Sequence, residues 1–177
     1  MSLFRPCFPD GEFDLVISNG VLHHTSNPML AFETISRLVR PGGYVMVGLY
    51  HRLGRWATDV RRRVFAMTGD RMRWLDRRWA GGLGGTRGDT WFRDQYKNPR
   101  ESKHAVSEVL EWFEGSGFSF VRTIPSNAPF QGLDGDTRLF EVELVSGRVG
   151  RAVAAGSMVL SGHREGGLFV TIGRRQV

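Results

Sequence analysis

The sequence predicts an α/β fold built on parallel central strands. Two β-branched apolar runs, FDLVIS at Phe13–Ser18 and YVMVGL at Tyr44–Leu49, flank a stretch of helical periodicity. Pro41-Gly42-Gly43 separates that stretch from the second run. Strand, helix and strand at this spacing form a βαβ unit, in which the strands run parallel and the crossover is right-handed.

Each element has its own signal. Pro9-Asp10-Gly11 is a turn that delivers the chain into the first strand. Asn27-Pro28 opens the helix, with Pro28 at the first helical position and Met29, Phe32, Ile35 and Leu38/Val39 at three- and four-residue steps. The helix is expected to stop, and the chain to reverse, at Pro41–Gly43. Arg55–Met67 reads as a second helix, with Trp56, Val60, Val64 and Met67 on one face and Arg61, Arg62 and Arg63 mostly off it. Thr68-Gly69-Asp70 interrupts it before a further helix that runs to about Trp79, and 81–88 reads as loop. Ser107 caps a helix that ends at Gly115 or Gly117. Phe118–Ile124 is a third strand, Leu139–Val145 a short one, 148–161 a helix, and Leu168–Gly173 a final strand.

Composition sets the outer limits. The 177 residues, 41% hydrophobic, fit one domain with a real core. The apolar stretch Ala152–Leu160 is about half a membrane span, and the N-terminus lacks a signal-peptide core. Cys7 is the one cysteine, which excludes an internal disulfide and, with the lack of a leader, points to the cytoplasm. It has no metal partners at ligand spacing, so no metal site is expected. Residues 52–79 carry nine Arg against three Asp, the largest share of the net charge of +6. That bias reads first as a solvated helix face and second as a cap over a substrate site with Trp56, Trp74 and Trp79 turned inward. A surface for anionic lipid or nucleic acid is the minor reading, nucleic acid being disfavoured.

Laid end to end, FPDGEFDLVISNGVLHHTSNPMLAFETISRLVRPGGYVMVGLYH, Phe8 to His51, closely resembles the class I S-adenosylmethionine-dependent methyltransferases. The match is to that family's fourth strand, following helix, Pro-Gly-Gly turn and fifth strand. Phe118–Ile124 resembles its sixth strand and Leu168–Gly173 its antiparallel seventh. The resemblance implies a Rossmann-like methyltransferase fold with parallel central strands, an antiparallel last strand and a helical cap inserted at 52–117, all in a single partial domain over 1–177. It implies S-adenosylmethionine as cofactor and methyl transfer to a small-molecule acceptor. The family's glycine-rich cofactor turn and its ribose-binding acid lie well before the fourth strand. Only twelve residues precede Phe13, so neither is expected in this chain. The run Gly81-Gly82-Leu83-Gly84-Gly85 follows a helix, not a strand, and does not replace them. An incomplete domain of this kind would be inactive alone and would expose a strand edge. Self-association there, or pairing with the missing N-terminal half, is expected.

Ligands in open α/β sheets sit beyond the carboxyl ends of the strands. Ser18, Asn19 and Gly20 would therefore border the methionine end of the cofactor. Leu3 and Phe4 would pack near the adenine, with Ser2 where the family often has an acidic residue. His24, and after it His23, are the acid–base candidates, a base being needed only if the acceptor must lose a proton. Tyr50 and His51 end the next strand and would line the acceptor pocket. His104 joins that pocket or fixes the cap to the core. The competing function is a non-catalytic interaction or regulatory fragment with a basic helical face.

Overall fold

The computed structural model describes residues 2–76, 79, 81–82, 85–98, 100–124, 138–143 and 167–177. Among the described residues its sheet has four strands: β1 (Phe13–Asn19), β2 (Val39–Tyr50), β3 (Phe118–Ile124) and β4 (Leu168–Arg175). Their spatial order is β1-β2-β4-β3. β1 and β2 pair in parallel, and β4 runs antiparallel to both β2 and β3. Parallel strands with one antiparallel member, last in sequence and inserted inside the sheet, are the arrangement the sequence implied.

Helix α1 (Pro28–Ser36) makes the crossover, with Asn27 Oδ1 accepting the Leu30 N–H at 3.1 Å as its cap. It ends five residues before Pro41, and the chain turns at Arg37–Leu38, not at Pro41–Gly43. A residue before proline avoids the helical region, so Arg40 is already extended and strand β2 begins at Val39. Pro41–Gly43 is instead an irregularity inside β2, where Phe13 pairs with Val39 and Leu15 with Tyr44. A Cβ on Gly43 would lie 2.7 Å from the Asp14 carbonyl, so only glycine lets the strands close there.

Val16 and Ser18 of β1 face the helical layer with Val45 and Val47 of β2. Helices α1 and α4 (Val106–Gly115) cover that face. Phe32 packs on Phe113 at 5.5 Å and Trp112 at 5.9 Å, and Gly173 of β4 leaves room for the Phe113 ring. The other face of β1 is open, with Leu15 37% and Ile17 58% exposed, although the run reads as a strand buried on both sides. Its outer edge pairs with no other strand among the described residues.

Helices α2 (Trp56–Thr68) and α3 (Gly85–Lys97) form a second layer around their own aromatic core. Phe65 lies 5.2 Å from Phe92 and 4.8 Å from Tyr96. The Tyr96 hydroxyl hydrogen-bonds buried Asp76, and burial together with that carboxylate pushes the phenol up to about 12. Four expectations give way here, in whole or in part. Helix α3 occupies part of the stretch read as loop at 81–88, because Gly88, Phe92 and Tyr96 at four-residue steps bury one face despite the glycines. The helix expected after Asp70 begins as a 3-10 turn, Arg73–Leu75, and Trp79 is helical, while 77, 78 and 80 lie outside the described residues. Ala105, not Ser107, holds the capping position of α4, and Glu108 accepts its N–H at 3.4 Å. Residues 138–143 hold no strand; Glu143 N–H meets the Val121 carbonyl at 2.7 Å beside β3. The rest of that expected strand, and the helix at 148–161, lie outside the described residues.

Candidate active site

The parallel strands β1 and β2 end together, at Asn19-Gly20 and Tyr50-His51. Gly20 takes a positive φ of 73°, with open space where a side chain would stand. Its N–H meets the Gly48 carbonyl at 3.0 Å. The Asn19 side chain lies over Gly48 so closely that any Cβ there would overlap its Oδ1. Ser18 is buried, and its hydroxyl has no hydrogen-bond partner among the described residues. Leu3 and Phe4 are half-buried against the main core.

Beyond Gly20 a 3-10 turn, Leu22–His24, drops Leu22 into the core and sets two imidazoles side by side. His23 is 1% exposed and lies between His24 at 4.2 Å and Tyr50 at 4.3 Å, ring centre to ring centre. Neither of its nitrogens has a hydrogen-bond partner among the described residues. Burial, then the neighbouring His24, lower its pKa to about 4, so the ring is neutral at pH 7. His24 is half-buried, with Nδ1 2.8 Å from the Arg100 carbonyl and 3.1 Å from Asn98 Nδ2. A carbonyl only accepts, so the shorter contact assigns the proton to Nδ1 and leaves the Nε2 lone pair for a proton. His51 is occupied locally: Nδ1 accepts the Gly54 N–H at 3.2 Å, and burial, then Arg52, lower its pKa.

Residues 100–104 run across these strand ends as a strap. Ser102 N–H meets the His23 carbonyl at 2.8 Å, His104 N–H the Tyr50 carbonyl at 2.9 Å, and Arg52 N–H the His104 carbonyl at 3.1 Å. Under the strap lies a buried ion pair. Arg55, 0% exposed, donates from Nε and one terminal nitrogen to the Glu101 carboxylate at 2.9 and 2.7 Å. Its other terminal nitrogen reaches Gln95 Oε1 at 2.9 Å, and the guanidinium lies 3.8 Å above the Tyr50 ring. Arg62 adds a third donor to Glu101 at 3.2 Å. Burial works against both charges, but the pairing wins: the Arg55 pKa is raised and that of Glu101 lowered.

Residues 2–47 match the family profile of the methyltransferase domain. Over that segment the chain is similar to methyltransferase domains. An uncharacterized methyltransferase of Schizosaccharomyces pombe is 41% identical over 44 residues, 25% of this chain and 16% of that protein. An uncharacterized protein of Synechococcus is 27% identical over 146 residues, 68% of this chain. This chain spans 34% of that protein's length. Two solved structures share the fold. One is a chain from the complex of the Haloferax volcanii Trm112 methyltransferase activator with a putative methyltransferase (TM-score 0.51, 14% identity, 100% of this chain and 60% of that one). The other is an S-adenosylmethionine-dependent methyltransferase of Mesorhizobium loti (TM-score 0.51, 16% identity, 99% and 67%).

S-adenosylmethionine is the methyl donor that these similarities imply. The open space at Gly20 and the Asn19 amide suit a close polar contact at the strand end. Among the described residues no group of His, Cys, Asp or Glu has the geometry of a metal site. The structure brings His23, His24 and Tyr50 together, and turns His51 to a local task. Trp56 and Trp74, read as inward-facing, are 55% and 62% exposed, while Trp79 packs on the second core. The sequence reading missed Arg55 and Glu101. Arg55 is one of nine arginines in its stretch, and no local pattern marks it as the buried one.

Proposed function

We propose that this chain contributes the acceptor side of a methyltransferase site, where a methyl group passes from S-adenosylmethionine to a small-molecule acceptor. The observation that carries the reading is the pairing of an open Asn19-Gly20 strand end with a half-buried histidine, His24, whose Nδ1 lies 2.8 Å from the Arg100 carbonyl. S-adenosylmethionine supplies an electrophilic methyl group, and its transfer draws mostly on alignment. Ser18, Asn19 and Gly20 hold the methionine end, and Leu3 and Phe4 border the adenine. His24 takes the proton of a hydroxyl or protonated amine acceptor at Nε2. Neutral His23 and the Tyr50 ring form the acceptor's apolar wall, with His51 fixing the turn behind them. Residues 52–117 act as a helical cap over this end of the sheet.

The free edge of β1 is where the remaining cofactor contacts attach, through the preceding part of a longer protein or through a partner chain. A second copy is the other occupant of that edge. Sedimentation at tens of micromolar reads this directly: a stable monomer with β1 unpaired counts against both. Cofactor binding by this chain alone is weak. Titrating the 15N-labelled chain with S-adenosylhomocysteine should shift the amides of Asn19 and Gly20 and the ring signals of His24. Shifts confined to another part of the chain refute the assignment. A dissociation constant near about one micromolar, roughly −8 kcal/mol, refutes the claim that further contacts are needed.

The alternative, a non-catalytic interaction fragment, is favoured by the same free edge and the exposed arginines. It predicts that no amide at Asn19-Gly20 responds even at saturating ligand.

A further inference from the structure

Helix α2 is mounted opposite to its sequence pattern. Its apolar residues Trp56, Val60 and Met67 follow one another at four- and seven-residue steps, a single stripe at 3.6 residues per turn. A globular domain turns such a stripe inward. Here Phe65, on the opposite side of the helix, enters the second core, and Arg62 reaches inward to Glu101 and the Gln95 carbonyl. These three face solvent, Trp56 55%, Val60 43% and Met67 88% exposed, while Val64 beside them is half-buried. Leu53, 51% exposed, precedes it, and Trp74, 62% exposed, stands on the turn after the helix.

The charges around this face are one-sided. Arg63 and Arg71 are exposed on the same stretch, whereas exposed Arg52 pairs with Glu108 at 3.9 Å. Its acidic groups are already engaged: Asp59 with Lys103 at 2.5 Å, Asp70 with Lys97 at 2.7 Å and Arg73 at 3.7 Å, and Asp76 with the Tyr96 hydroxyl. An exposed row of Trp, Val and Met flanked by unopposed guanidinium groups matches the layering of a bilayer surface. Indole and thioether sit at the acyl boundary, and arginine lies against anionic headgroups. The charge complementarity selects this occupant. A protein partner for so apolar a stripe needs no surplus of cations, and a nucleic acid backbone has no use for Met67 or Val60.

We propose that the α2 face carrying Trp56, Val60 and Met67, together with Leu53 just before it, is a docking surface for an anionic lipid bilayer. Docking there is peripheral, since among the described residues no helix is long and apolar enough to cross a membrane. The proposal is independent of the methyl-transfer reading.

The test is co-sedimentation of the full chain with phosphatidylcholine vesicles, with and without about one third phosphatidylglycerol. Binding is expected to the anionic vesicles, with a blue shift of tryptophan emission and weakening by added salt. Trp56→Ser with Met67→Ser should weaken it about tenfold or more, with the circular dichroism and thermal midpoint unchanged, because both side chains are solvent-exposed. Arg63→Gln and Arg71→Gln should each weaken it about fivefold on anionic vesicles only. No binding to anionic vesicles overturns the proposal. So does binding that the Trp56/Met67 variant retains in full, or equal binding to neutral vesicles. A dimer in solution that this variant converts to monomer also overturns it and assigns the stripe to a second copy.

Discussion

Replacing Glu101 with Gln removes one charge and leaves the shape almost unchanged. In the folded chain the Arg55 side chain is 1% exposed, as is that of Glu101, and two of its nitrogens donate to that carboxylate. A glutamine keeps one acceptor oxygen and puts an NH2 group against a second donor. Arginine cannot shed its proton in response, so a cation stays buried with half its pairing gone. Breaking a buried pair from one side costs about 3–5 kcal/mol. Total stabilities of small domains run to about 5–15 kcal/mol, so the variant loses roughly a fifth or more of what holds it folded. At about 2–4 °C per kcal/mol for a chain of this size, the thermal midpoint should fall by roughly 10 °C. The pH dependence has a definite sign. Glu101 has a folded pKa below its ordinary value, so its stabilisation is fully present above the unfolded value near 4.5 and is lost as pH falls through the folded one. The variant's deficit should therefore shrink in acid. Arg55→Met combined with Glu101→Leu should recover much of the loss, since well-packed apolar replacements of buried pairs are often neutral or better. Urea unfolding followed by circular dichroism measures all three. A Glu101→Gln chain within about 1 kcal/mol of the parent at pH 7 refutes the pairing described.

Two further substitutions probe the site. His23→Phe keeps the stacking on Tyr50 and removes two unpartnered ring nitrogens, so stability at pH 7 should rise by about 1–2 kcal/mol. The parent should also lose about 3 kcal/mol between pH 6.5 and about 4, because His23 protonates in the unfolded chain first, and this decline should be absent in the variant; urea midpoints across that range decide it. Gly48→Ala drives the Asn19 amide from its place over β2, so the Asn19 and Gly20 amides should no longer shift with S-adenosylhomocysteine, while unfolding changes by no more than about 2 kcal/mol. An unchanged titration would mean that Asn19 takes no part.

The βαβ unit was legible because its strands and helix each carry a local pattern whose periods differ, and Asn27-Pro28 marks the helix start in the sequence itself. The end of α1 was not, because Pro41 acts at a distance: by making Arg40 extended it lets Val39 enter the sheet early. Helix α3 was hidden by Gly85 and Gly88, whose low helix propensity is overridden by burying Phe92 and Tyr96 against Phe65, a partner 27 positions away from Phe92. The same limit applies at the site. His23 and His24 were visible from their place just after a strand end, but Glu101 is 46 residues from Arg55, and only the folded strap brings the carboxylate to the guanidinium.

The two layers of the chain are joined by different forces, and this sets how they move. The sheet and its helices share one apolar core, whereas Phe65, Phe92 and Tyr96 form a separate cluster. Between the two stand the Arg55–Glu101–Arg62 network and the backbone hydrogen bonds of the strap, with little apolar surface to carry the load. Polar joints contribute little net stability when formed and cost much when half-made, so such a joint opens as a unit or not at all. The strap amides of Ser102 and His104, bonded to the His23 and Tyr50 carbonyls, report on that opening. In native-state hydrogen exchange they should open together, at a lower free energy than the amides pairing β2 with β4. Glu101→Gln should speed exchange at Ser102 and His104 by about a hundredfold or more while Val45 and Val47 slow or quicken only with global stability. Exchange of strap and sheet amides at one common rate, in the parent and the variant alike, would mean that the two layers form a single cooperative unit and that the ion pair is no hinge between them.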